Sequence, residues 1–318
     1  MLLDLVRLGG GIVLLYFGAE WLVRGASGIA AAMGVRPIII GLTVVAYGTS
    51  MPELVVSTAA AVGGKSDIAL GNVIGSNIAN LGFILGLTAL IRPPEVDGSL
   101  IRRELPLMVA SALVVPLLLW DGEISRVEGL LLLLGALGFT ALLVRTAKTV
   151  PSSSALGEQA KADAEPKEKD SPQKLAALAV LGLAALVGGG KVFVDGAVNV
   201  ALALGMSERM VGLTIVAVGT SLPELAASVV AALRGQSSLA IGNVVGSNIF
   251  NVLLILGGAS AVSPIRGALS QLRVDLTAMA LLSVVATAMM AKRRLVSRAE
   301  GGLLVVLYGG FMCLLALW

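Results

Sequence analysis

Two glutamates stand where acidic side chains are seldom found, each in the middle of a long apolar run. Glu53 closes the stretch Gly48-Thr49-Ser50-Met51-Pro52-Glu53, and Glu224 closes Gly219-Thr220-Ser221-Leu222-Pro223-Glu224. The polar side chains that accompany them are all oxygen donors: Thr49, Ser50, Ser76 and Asn80 in one stretch, Thr220, Ser221, Ser247 and Asn251 in the other. Carboxylate, hydroxyl, amide and carbonyl oxygens suit hard cations such as Ca²⁺ and Na⁺ rather than soft metals. Two glutamates balance one Ca²⁺ or two Na⁺. Leaving an ionised side chain bare at the centre of a bilayer costs on the order of 2.5–3.5 kcal/mol. A site of this kind should resist moving unless loaded, and binding two kinds of cation in turn, never neither, is what an exchanger requires. Histidine is absent, so Ser50 and Ser221 have no imidazole base. Neither an enzyme nor a cofactor is expected, and the implied partners are cations and the lipid bilayer.

The two glutamates belong to one duplicated text. Residues 41–80 and 212–251 are identical at 25 of 40 positions without a gap, at an offset of 171. That period is too long for a solenoid and marks a duplicated half. Pro52 lacks an N–H and disfavours helical geometry at Met51, and Pro223 repeats the effect. Freed carbonyls inside hydrocarbon are tolerable only where they line a cavity or find neighbours. Interrupted helices at matching places in two halves point to a midplane substrate site.

The elements that position these residues are read from hydropathy. The chain is 57% hydrophobic and 14% charged, with a mean hydropathy of +0.94, far from a soluble balance. Ten apolar runs near membrane-spanning length fall at about 5–33, 37–62, 68–91, 104–120, 126–145, 175–202, 209–233, 239–262, 274–291 and 299–317. Five crossings per half set the second half into the membrane upside down, an inverted repeat. The expected architecture is therefore an all-α integral membrane protein of ten transmembrane helices in two inverted five-helix repeats, with helices two, three, seven and eight broken near the midplane. Residues 1–146 and 174–318 form the repeats. Residues 147–173, rich in Ser, Pro, Ala, Lys and Glu, read as a flexible cytoplasmic linker. Lys and Arg gather on alternating sides, so the basic pI of about 9.2 reflects the positive-inside rule and not nucleic acid. The same bias places both termini outside a cell membrane. The first segment, too long for a cleaved signal peptide, counts as a span. Glu20 and Arg24 share a helical face, as do Lys191 and Asp195 with the signs reversed. Either each pair neutralises itself, or antiparallel packing brings Glu20 to Lys191 and Arg24 to Asp195.

The motifs G-T-S-x-P-E and G-S-N-I-x-N, each present twice, resemble the alpha-repeats of the Ca²⁺/cation antiporter superfamily, specifically the sodium/calcium exchanger branch and its prokaryotic members. The resemblance implies ion sites between helices two, three, seven and eight. Glu53 and Glu224 would be shared Ca²⁺ and Na⁺ ligands, and Thr49 and Thr220 would offer mainly backbone carbonyls to Ca²⁺. The carbonyls of Ala46 and Ala217, with Ser76 and Ser247, would complete flanking Na⁺ sites. Asn80 and Asn251 would face the centre, and Ser50 and Ser221 would act as supports. Several relatives carry Asp where this chain has Asn80 or Asn251, so K⁺ co-transport is not expected. Proton-coupled members show G-N-x-x-E, where this chain has Gly71-Asn72-Val73-Ile74-Gly75, which favours Na⁺ as counter-ion. An electrogenic Na⁺/Ca²⁺ antiporter follows, with alternating access as segments one and six slide on a fixed core. The rivals are a Ca²⁺ or other divalent cation/H⁺ antiporter of the same fold and, from another class, a cation channel.

Overall fold

The computed structural model describes residues 2–147, 170–206 and 217–317. Its elements are helices α1 (Leu2–Met33), α2 (Pro37–Thr49), α3 (Met51–Val62), α4 (Ser66–Ile91), α5 (Gly98–Arg102) and α6 (Glu104–Leu118), strand β1 (Glu123–Ile124), and helix α7 (Arg126–Thr146). The second half continues with α8 (Pro172–Ala203), α9 (Ala217–Gly219), α10 (Leu222–Leu233), α11 (Ser237–Val262), β2 (Ile265–Arg266), α12 (Leu269–Arg293) and α13 (Arg298–Leu317). Among the described residues seven helices are long and apolar enough to cross a membrane, or eight with α2 and α3 taken as one bent span. This is a multi-pass helical membrane protein. Of the ten expected segments, α6 and α10 are shorter, with 15 and 12 residues. The approach to α10, like most of the 147–173 linker, lies outside the described residues.

The bend between α2 and α3 is 44°. It falls at Ser50, whose φ of −84° and ψ of 4° leave the helical region one residue before the proline-restricted Met51. Ser221 takes the same conformation, φ −91° and ψ 9°, at the start of α10. The expected breaks in the third and eighth segments take another form. With no proline in either, α4 and α11 run on as continuous helices and widen into π-helical turns at Asn80–Ile84 and Asn251–Leu256. Such turns are inserted residues that re-aim side chains and are frequent at functional sites.

Burial separates a centre from a periphery. In the most apolar 18-residue windows, 72% of α4 and 89% of α11 is buried, against 22% of α1 and 28% of α8. The two peripheral helices pack along each other, antiparallel, through glycine. Gly11 faces Phe193, Gly18 faces Leu186 and Gly25 faces Ala179; a Cβ on Gly182 would lie 2.4 Å from the Leu22 nitrogen, so only glycine permits the approach. That register corrects the expected charge pairs. It sets Glu20 level with Ala184, seven residues short of Lys191, a gap of about 10 Å along the axis. Glu20 instead accepts from Arg234 at 3.0 Å, and Arg24 donates to Asp170 at 2.8 Å. Lys174 and Arg24 hold the Asp170 carboxyl below its ordinary range.

Two small β ties join the halves. β1 pairs antiparallel with β2, Glu123 opposite Arg266 and Ile124 opposite Ile265. Val96 N–H donates to Arg294 O at 2.8 Å, and Val296 N–H to Pro94 O at 3.1 Å. Shifted by 171, each tie maps onto the other.

Candidate cation site

Glu53 is set by the proline-started first turn of α3 and Glu224 by that of α10; each is only 1% exposed. What holds them comes from the opposite half. Ser50 Oγ donates to Glu224 Oε1 at 3.1 Å, and Ser221 Oγ donates to Glu53 Oε1 at 3.3 Å. Each serine also reaches a second hydroxyl across the same boundary, Ser247 at 3.2 Å from Ser50 and Ser76 at 3.4 Å from Ser221. The bend at Ser50 and its counterpart at Ser221 make this exchange possible, because a straight helix would carry the hydroxyl around to another face.

Of the sequence-derived residues, Ser50, Ser76, Ser221 and Ser247 are tied to these carboxylates through hydroxyl contacts. Thr49, Ser50, Ser76, Asn80, Ser221, Ser247 and Asn251 are buried, all at 3% exposure or less. Thr49 Oγ1 lies within hydrogen-bond reach of Val45 O at 3.1 Å and Asn243 Oδ1 at 3.2 Å. Ala46 is buried, and its carbonyl accepts from Ser50 N–H at 3.1 Å. In the second half the Ser221 N–H closes a tighter turn on Val218 O at 3.1 Å, while Ala217 opens the short helix α9 and Thr220 follows it. The two halves therefore differ at this carbonyl.

The sequence reading missed a set of amides that fix the backbone of both glutamates. Asn72 Nδ2 donates to Glu53 O at 3.2 Å and to Ser57 Oγ at 2.8 Å; Asn243 Nδ2 donates to Glu224 O at 3.3 Å and to Ser228 Oγ at 2.9 Å. The signal was present, since both asparagines stand nineteen residues after their glutamate in otherwise apolar helices. Asn77 was also missed. Its Oδ1 accepts from Asn251 Nδ2 at 3.1 Å, which fixes that amide and leaves the Asn251 oxygen unengaged.

Several acceptors remain without a donor while fully buried: Glu53 Oε2, Glu224 Oε2, Asn80 Oδ1 and Asn251 Oδ1. Buried acceptors are nearly always satisfied, and a bound cation is one way to satisfy the free oxygens of the two carboxylates. Among the described residues no group of three His, Cys, Asp or Glu side chains could hold a metal ion. The site's charge thus rests on two carboxylates, and its remaining donors are neutral. Replacing Ser50 or Ser221 by Ala removes a hydrogen bond to a carboxylate, worth about 1.5–3 kcal/mol. Each variant is expected to weaken Ca²⁺ binding by ten- to a hundredfold, and by similar factors because the two contacts mirror each other. Titration calorimetry on the purified variants reads this directly; one inert and one inactive variant would show that the halves are not equivalent.

The family profile described as sodium/calcium exchanger protein matches residues 4–145 and 174–317. A protein of Alkalimonas amylolytica described as a putative antiporter, CaxA, is 41% identical over 309 residues, covering 96% of each chain. The sodium/calcium exchanger MaX1 of Methanosarcina acetivorans is 35% identical over 343 residues, again covering 96% of each. Among solved structures, the sodium-calcium exchanger NCX_Mj, soaked with 2.5 mM Na⁺ and 0.1 mM Ca²⁺, superposes with a TM-score of 0.84 at 31% identity, covering 98% of each chain.

Proposed function

The chain belongs to the sodium/calcium exchanger family, and on that premise we propose that this multi-pass cation antiporter extrudes Ca²⁺ in exchange for Na⁺, electrogenically, with three Na⁺ per Ca²⁺. The observation that carries the reading is the crossed contact between halves, Ser50 on Glu224 and Ser221 on Glu53. It makes one shared pocket of two carboxylates whose second oxygens have no protein donor. Glu53 and Glu224 serve both ions. The carbonyls of Thr49 and Thr220 complete the Ca²⁺ shell, those of Ala46 and Ala217 with Ser76 and Ser247 form flanking Na⁺ positions, and Asn80 and Asn251 face the centre.

Ten spans in two inverted repeats, 1–146 and 174–318, joined by a cytoplasmic linker with both termini outside, is the architecture that this function uses. The glycine-packed α1–α8 pair is peripheral and packs on α2 and α10, the helices that carry Thr49 and Glu224, the division needed if the pair slides and exposes the pocket to each side in turn. Na⁺ rather than H⁺ is the counter-ion, because the third acidic group of a G-N-x-x-E motif is replaced by Gly75 and Gly246. The test is Ca²⁺ uptake into proteoliposomes. An outward Na⁺ gradient is expected to drive it and an outward H⁺ gradient at constant Na⁺ is not; the reverse result would give the proton-coupled antiporter, and uptake indifferent to both would mean a channel.

A further inference from the structure

Arg273 and Asp275 stand two residues apart in the first turns of α12. Among the described residues neither engages in a salt bridge or side-chain hydrogen bond. The repeat explains why. Their counterparts are Arg102 and Glu104, and Glu104 is neutralised by Arg103 at 3.0 Å. The position matching Arg103 is Val274, so the second half keeps the carboxylate and lacks the arginine that answers it.

Both charges line a cavity of about 330 Å³ at the start of α12 and the end of α13, with Ser270, Gln271, Leu314 and Leu315. It adjoins a second cavity of about 480 Å³ that shares Arg273 and Leu314 and continues between the two helices past Leu281, Leu307 and Phe311. A mouth with one cation, one anion and hydrogen-bonding side chains thus opens at a helix end onto an apolar cleft that faces the bilayer.

We propose that this cleft binds a phospholipid whose headgroup carries both a phosphate and a primary ammonium, that is, phosphatidylethanolamine. The phosphate lies on Arg273, whose guanidinium suits it as a forked donor. The ammonium lies on Asp275 and supplies the opposite charge that Val274 cannot. An acyl chain fills the apolar cavity. Phosphatidylcholine has a phosphate and no N–H to give to Asp275, and phosphatidylglycerol brings its net negative charge to that carboxylate uncompensated, so the paired signs select the zwitterion that can donate.

The test uses the full chain reconstituted in vesicles of phosphatidylethanolamine, phosphatidylcholine and phosphatidylglycerol in equal parts, gently extracted, with retained lipid identified by mass spectrometry. Phosphatidylethanolamine is expected to exceed either other lipid by about tenfold, the ratio that 1.4 kcal/mol gives. Asp275→Asn is expected to bring phosphatidylethanolamine and phosphatidylcholine to near parity, and Arg273→Gln to lower the retention of every lipid. Gly310 lines the apolar cavity, and a Cβ added there meets nothing within 4 Å. Gly310→Leu should therefore fill the cleft without disturbing the helices, lowering total retention and leaving the ratios unchanged. Equal retention of the three lipids by the wild-type chain, a preference for phosphatidylglycerol, or an undiminished preference in Asp275→Asn would each overturn the proposal. The wild-type comparison and Gly310→Leu do not depend on how the charge variants fold.

Discussion

Replacing either glutamate by glutamine should abolish exchange. Glu53→Gln and Glu224→Gln keep the size of the side chain and one of its oxygens, and remove half of the pocket's negative charge. Losing one partner of a buried charge interaction typically costs about 3–5 kcal/mol, and every 1.4 kcal/mol is a factor of ten. Ca²⁺ uptake efficiency is therefore expected to fall by at least two orders of magnitude in each variant, beyond the effect of Ser50→Ala or Ser221→Ala. Radiolabelled Ca²⁺ uptake into proteoliposomes under an outward Na⁺ gradient measures it. Protons should mimic the substitution in the wild type, since each carboxylate that is protonated leaves the pocket one charge short; uptake should fall as the solution is acidified and recover on return. A variant with near-normal Na⁺-driven uptake would remove that glutamate from the pathway.

The second large effect is on voltage. If three Na⁺ exchange for one Ca²⁺, as proposed, one net positive charge crosses per cycle, since every charge of the protein returns to its starting place. A unit charge crossing 100 mV changes free energy by about 2.3 kcal/mol, roughly fiftyfold in the equilibrium. The sign follows from the direction of flow. In Na⁺-loaded vesicles taking up Ca²⁺, positive charge leaves with Na⁺, so a clamp that makes the interior positive should raise the Ca²⁺ accumulated and an interior-negative clamp should lower it. K⁺ gradients with valinomycin impose both. Accumulation independent of the clamp would mean two Na⁺ per Ca²⁺ and an electroneutral cycle.

Much of the pocket could be read without coordinates, because duplication reveals intent that one copy would not. A lone Glu in an apolar helix is ambiguous; Glu53 and Glu224 with matching prolines point to one paired arrangement, and each is held by a serine of the opposite half. The parts that escaped depend on packing. Whether Glu20 meets Lys191 or Arg234 turns on the register of α1 against α8, and small glycine contacts such as Gly18 on Leu186 set it. The partner of Glu20 lies 214 residues away on another helix, and no periodicity reports that. Asn80 and Asn251 open π turns where breaks were expected, and nothing in their side chains distinguishes an inserted residue from an interruption. The Asn72 and Asn243 braces were legible in principle, being polar, repeated and at constant distance from the glutamates.

The paired strands have a bearing on how the protein is made. Glu123 and Ile124 emerge from the ribosome long before Ile265 and Arg266, and the strand they form has no partner until then. Pro94 and Val96 wait longer still, for Arg294 and Val296. The N-terminal half therefore enters the bilayer unfinished, its strand edges open, and is sealed only once Arg294 and Val296 have been translated. A nascent chain truncated before residue 265 should accordingly be prey for membrane proteases, whatever the intrinsic stability of its helices.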